Sequence, residues 1–98
     1  MFVKIHKSYR NVVSVCDCEL LGKKLEEGRM QIDLTGEFFK GEKKNAKQVL
    51  EIIEDLTRED ATFNIVGKKA VSCALKAGIV SKHGIKKISG VPFALTLL

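Results

Sequence analysis

Ninety-eight residues, 45% of them hydrophobic, with 17 Lys and Arg against 12 Asp and Glu and a net charge of +5, describe one basic domain with a single core. A second domain is excluded by length, and no apolar run of about 18 residues is present to cross a bilayer. The first ten residues lack the apolar segment of a secretory signal, and three cysteines, an odd number, point to free thiols in a reducing compartment. A cytoplasmic protein without membrane association is expected.

Phe2–His6 and Val12–Cys16 read as a hairpin rich in β-branched residues, joined by a polar loop over residues 7–11. A five-residue loop sets Ile5 opposite Val13 and Val3 opposite Val15, so that these four share the buried face and His6 lies opposite Val12. Asp17 then caps one helical turn over residues 18–21, ended by Gly22. A second hairpin runs over residues 23–27 and 29–34 and turns near Gly28, with Met30, Ile32 and Leu34 alternating against Gln31 and Asp33. The alternative for this region is a helix over residues 17–27, which Gly22 in its middle would weaken by about 1 kcal/mol.

Residues 35–41 form a connector in which Phe38 and Phe39 plug the edge of the core. Asn45 opens a helix, with Gln48 at capping-box spacing. Val49, Leu50, Ile52, Ile53 and Leu56 fall on one side of it, and Glu51, Glu54 and Asp55 on the other. A second helix is predicted over residues 65–77, with Asn64 as N-cap and Gly78 just past its end. Its apolar side is rich in small residues, which let a helix lie close to a sheet, and its polar side gathers Lys68, Lys69, Ser72 and Lys76. Beyond Gly78, Ile79 and Val80 pack back and residues 81–84 turn. Two strands follow, over residues 85–88 and 91–98, separated by Ser89 and Gly90. Pro92, having no amide to donate, belongs at a strand start or an edge. The apolar tail over residues 91–98 is read as a buried terminal strand, the alternative being an exposed strip that pairs with a second subunit. The fold class is α+β, a two-layer sandwich of a mostly antiparallel sheet with two principal helices on one face.

Charge is unevenly distributed. Residues 1–40 carry a net +1, residues 41–60 a net −2, and residues 61–98 a net +6 from six lysines and no acidic residue. A one-sided cationic field of this kind raises the encounter rate with phosphates. The start of the second helix, Asn64, Gly67, Lys68 and Lys69, combines free amides, a glycine permitting close approach, and two ammonium groups, which is the chemistry of a phosphate site. Lys76, Lys82, Lys86 and Lys87 extend it into a patch. Tyr9 is the one aromatic side chain placed for base stacking.

Other chemistry finds little support. Cys16 and Cys18 form a lone C-x-C pair, and the hairpin register separates His6 from Cys16 by about 13 Å along the strand, so no metal and no cofactor are expected. Cys16, at a strand end before a possible helix start, is where a lowered thiol pKa would arise, yet no histidine and acid accompany it.

Val15, Cys16 and Asp17 followed by Glu19 through Lys23, the Glu37 to Gly41 connector, Asn64 through Gly67 with Ala70, Val71 and Ala74, and Gly90 through Pro92 together resemble an archaeal family known only as a domain of unknown function, number four-two-four. The resemblance implies a two-layer α+β fold, a cytoplasmic archaeal protein, no established activity and at most a translation-related role. The expectation is a non-enzymatic RNA- or ribosome-associated module contacting phosphates through Asn64, Gly67, Lys68, Lys69, Lys76, Lys82, Lys86 and Lys87. Two alternatives stand beside it: an interaction protein that homodimerises through residues 91–98, and an enzyme using Cys16 and Asp17.

Overall fold

A computed structural model describes residues 1–96. Strands β1 (Phe2–His6), β2 (Val12–Cys16), β5 (Glu42–Lys43), β6 (Thr62–Val66), β7 (Lys86–Ile88) and β8 (Val91–Thr96) form a six-stranded sheet in the order β5-β1-β2-β6-β8-β7. Strands β3 (Lys24–Glu27) and β4 (Met30–Asp33) form a separate ribbon. Helices α1 (Ala46–Thr57) and α2 (Lys68–Ala77) complete the regular elements, with single 3-10 turns at Cys18–Leu20 and Lys82–Gly84. The fold is α+β, and every pairing is antiparallel except the central one, β2 with β6.

The first hairpin has the expected register, Val3 opposite Val15, Ile5 opposite Val13 and His6 opposite Val12. Alternation then assigns Val3, Val13 and Val15, with Phe63 and Ile65 of β6, to the face covered by the helices. Val49 and Ile53 of α1 and Ala70, Val71, Cys73 and Ala74 of α2 close that core. Ile5 departs from expectation, since 40% of it remains exposed. Strand β5 pairs only with Phe2 and Val3, leaving the end of β1 uncovered.

The opposite face carries a second core, so the single core expected from length is divided by the sheet. Cys16, Val66 and Ile88 point to this side and are covered by Leu20, Leu25, Leu34 and Phe39 from the turn, the ribbon and the connector. Phe38 does not plug the core beside Phe39. It stays 42% exposed and stacks on His6, with ring centroids 4.4 Å apart. Its carbonyl accepts from Ser14 Oγ at 2.8 Å and lies 2.9 Å from His6 Nε2, which anchors the connector across β1 and β2.

Helix α1 begins as its sequence dictates, with Asn45 Oδ1 accepting from the Gln48 amide at 2.8 Å and Gln48 Oε1 accepting from the Asn45 amide at 3.0 Å. Its acidic side is exposed. Pro92 sits near the start of β8, which is an interior strand between β6 and β7. The last two residues of the apolar tail lie outside the described residues.

Candidate functional site

Residues 65 and 66 are not helical. They end strand β6, which pairs with β2 on one side and β8 on the other. Asn64 is therefore a mid-strand residue opposite Ser14 and Leu95 and does not cap the helix. The apolar pair Ile65 and Val66 fits the inner side of a helix and a buried strand equally well. The parallel partner supplied by β2 decides between the two readings.

Gly67 makes the bend from strand to helix at φ 114°, a conformation that L side chains rarely adopt. Space as well as torsion selects glycine, because a Cβ there would lie 2.6 Å from each carboxylate oxygen of Asp17. That carboxylate occupies the helix start. Asp17 Oδ2 accepts from the Lys69 amide at 3.0 Å, and Oδ1 from the Ala70 amide at 2.8 Å. Asp17 is only 2% exposed and is fixed by its own amide, which donates to the Val66 carbonyl at 3.1 Å. Two of the amides expected to cradle a phosphate, those of Lys69 and Ala70, are thus satisfied from within. Asp17 does precede the 3-10 turn as predicted, but its side chain makes no capping bond there.

The lysines divide into groups. Lys68, Lys69 and Lys76, with Ser72, line an open cavity of about 490 Å³ between α2 and the start of α1. Lys44 joins them from the other side. No acidic side chain lines this cavity. Lys44 is positioned by the β-ladder, its amide donating to the Met1 carbonyl at 2.7 Å, and its ammonium group lies 3.1 Å from the Glu42 carboxylate. It was invisible in the charge profile because it belongs to the net-acidic middle of the chain. The cue lies in its place immediately before the Asn45 cap, since the start of α1 must approach α2 once the two helices share a core.

Lys82, Lys86 and Lys87 do not line that cavity. Lys82 lies in the 3-10 turn after α2, and Lys86 and Lys87 lie on edge strand β7. As neighbours on one strand, Lys86 and Lys87 project to opposite faces of the sheet. The single stripe expected of the C-terminal lysines is replaced by a cluster at α2 and separate charges around the sheet edge. Tyr9 is fully exposed at the tip of the loop between β1 and β2.

Two of the three cysteines, Cys16 and Cys73, are buried, and Cys18 is half-buried. Cys16 is completely buried, and its thiol donates to the Asp17 carbonyl at 3.2 Å. Burial first, and then the negative charge of Asp17, pushes its pKa up to about 11, the reverse of the lowering considered for a strand end near a helix start. Cys73 belongs to the helix-side core, and burial raises its pKa also. Among the described residues no three His, Cys, Asp or Glu side chains are grouped to hold a metal ion. No described helix is long and apolar enough to cross a membrane.

These features define a small α+β domain whose distinguishing surface is a lysine-lined cavity beside an internally capped helix. The chain belongs to the family described as "Protein of unknown function (DUF424)", whose model matches residues 6–97. Its fold is similar to that in the "Crystal structure of an uncharacterized conserved protein from Methanopyrus kandleri", with a TM-score of 0.87 at 23% identity, covering 97% of this chain and 88% of that one. No curated protein matches the chain.

Proposed function

We propose that the protein is a non-enzymatic RNA-binding module, acting on free or ribosomal RNA in the cytoplasm in connection with translation, that holds phosphates in the cavity lined by Lys44, Lys68, Lys69 and Lys76. The observation supporting this is the convergence of Lys68, Lys69 and Lys76 of α2, faced by Lys44 from the segment before α1, around one concave surface that no acidic side chain lines, the Lys44 ammonium group being shared with Glu42 at its rim. The internally capped helix moves the expected contact away from the backbone amides and onto the ammonium groups. Lys82, Lys86 and Lys87 then act as outlying charges that steer the ligand. Contact with about four phosphates gives a log Kd that rises with log salt at a slope of about 3 on a single strand. Fluorescence anisotropy against a labelled RNA tests this. Lys68→Glu with Lys69→Glu is expected to weaken binding more than tenfold and to flatten the salt slope, and Lys86→Glu to do so less. Salt-independent binding, or binding indifferent to the double reversal, overturns the reading.

A second reading, homodimerisation through the C-terminal strand, is favoured by one observation. Leu95 is 64% exposed and borders an apolar groove with Met30, Phe39 and Phe93. Strand β8 pairs with β7 only as far as Phe93 and with β6 from Phe93 onward, so the stretch 94–96 has a strand partner on one side among the described residues, and such a dimer could add a strand there as well as bury Leu95. Sedimentation equilibrium at micromolar concentration would show a dimer that Leu95→Lys dissociates, and a monomer throughout dismisses it.

A further inference from the structure

We infer that the apolar groove between the ribbon and the sheet is a nucleobase site, in which the Asn64 carboxamide reads the amino edge of an adenine. It stands apart from the phosphate reading, because this groove lies on the sheet face opposite the helices and shares no lining residue with the lysine cavity. Its volume is about 360 Å³, within the usual span of small-ligand pockets, about 300–1,000 Å³. Met30, Ile32, Phe39, Phe93 and Leu95 make its walls, and no Lys or Arg lines it. Apolar walls with a few placed polar groups are the usual composition of such a pocket.

Asn64 is out of place in a purely structural strand. Asparagine is depleted in strands, yet this one occupies the middle of β6, an interior strand, and is half-buried against the groove. Its neighbours across the ladder do not serve it. The Ser14 hydroxyl donates to the Phe38 carbonyl at 2.8 Å, and Leu95 has an apolar side chain. Among the described residues the Asn64 carboxamide makes no hydrogen bond. A half-buried amide without a partner costs stability, and a ligand can supply the partner. A carboxamide offers an acceptor beside its donors, the complement of the amino group and ring nitrogen on the edge of an adenine. Phe39 and Phe93 give aromatic surface for the faces of the base. A single carboxamide serves one such edge, not the repeated edges of an extended peptide. The groove's one charged side chain narrows the choice further. Asp33 accepts from the Thr35 amide at 2.8 Å and from the Thr35 hydroxyl, bonds that hold its carboxyl below the usual range and keep it ionised. With an anion and no cation among its lining residues, the groove favours an amino edge over a carbonyl edge and turns a phosphate outward.

Adenine arrives on a free nucleoside or on a single strand, and the test separates the two. The isotope-labelled full chain carrying Lys68→Glu and Lys69→Glu, which removes the phosphate site from the readout, is titrated by NMR with adenosine, inosine and an adenylate trinucleotide. Adenosine is expected to shift the amides of Asn64, Val66, Phe93 and Leu95 and to bind about tenfold tighter than inosine, which exchanges the amino group for a carbonyl. Saturation by the trinucleotide at lower concentration assigns the base to a strand, and saturation at equal or higher concentration assigns it to the nucleoside. Asn64→Leu keeps the volume and is expected to abolish the preference for adenosine while leaving the melting temperature unchanged or raised, whereas a structural role for the amide lowers it. The comparison of adenosine with inosine needs no variant at position 64, so a folding defect there cannot obscure it. Equal binding of the two nucleosides, or amides unmoved at the solubility limit of adenosine, overturns the base site and leaves the lysine cavity untouched. Shifts of the same amides on protein dilution alone give the groove to a second copy and overturn it as well.

Discussion

Asp17 and Gly67 depend on each other. The carboxylate fills the volume that a side chain at 67 would need, and the glycine torsion aims the α2 amides at that carboxylate. Gly67→Ala forces a methyl group into the carboxylate at an unfavourable φ and is expected to cost about 3 kcal/mol of stability in urea unfolding. Asp17→Ala strips two amides, one buried and one partly buried, of their acceptor, at about 2 kcal/mol. The two losses are expected to be less than additive in the double variant, since removing the carboxylate also removes the collision, and strict additivity would show that the contact is not what selects glycine. At Cys16 the sign of the pH effect follows from burial. A thiol with an ordinary pKa of 9.0 that rises to about 11 in the fold favours the native state below pH 9 and withdraws that support as pH climbs through 11. The protein is thus expected to lose about 2–3 kcal/mol across this alkaline window, and Cys16→Ala to lose less. Chemical denaturation at stepped pH measures both. Neither Asp17 as a helix cap nor Cys16 as a buried group was legible from its neighbours in sequence, because each is defined by residues some 50 positions away.

Among the elements, those with local causes were readable. The register of the first hairpin followed from loop length, the start of α1 from Asn45 and Gln48, and the end of α2 from Gly78, which takes a left-handed φ of 76°. Asn45→Ala should accordingly destabilise the protein by about 1 kcal/mol, seen as a lower urea midpoint at unchanged slope. The start of α2 was misread because strand Thr62–Val66 is short and its Asn64, a residue suited to an N-cap, stands directly before the apolar pair Ile65 and Val66. The small side chains of α2 were correctly taken as a sign of close packing on the sheet, where Ala70 and Ala74 are fully buried. Ala74→Leu adds volume with nowhere to go, and a loss of about 1–3 kcal/mol by thermal or urea melting is expected.

At the scale of the molecule, the sheet order and its second covered face were beyond sequence reasoning. The parallel pairing of β2 with β6 joins segments that share no local signal, and the ribbon's role as a cover emerges only when the sheet has formed. The charge profile located the cationic third of the chain but not the concave surface, which requires Lys44 from elsewhere. The architecture also predicts graded stability. Strand β2 is buried on both faces and β6 on its helix side, while the ribbon is mostly exposed, with Leu25 its one buried residue. Amides of Val13, Val15 and Ile65 should exchange with solvent through global unfolding, and those of β3 and β4 through a cheaper local opening. Uniform protection across both sheets would contradict this.

The long-range cap has a final consequence for how the lysine cavity comes into being. Helix α2 spans ten residues, too few to persist alone in water, and the carboxylate that closes its first turn arrives from 52 positions earlier. A C-terminal fragment carrying every lysine of the helix but lacking Asp17 would keep the charge and lose the shape. The shape of the cavity is in that sense a property of the assembled tertiary fold, and separating the two halves of the chain would abolish it without touching a single cation.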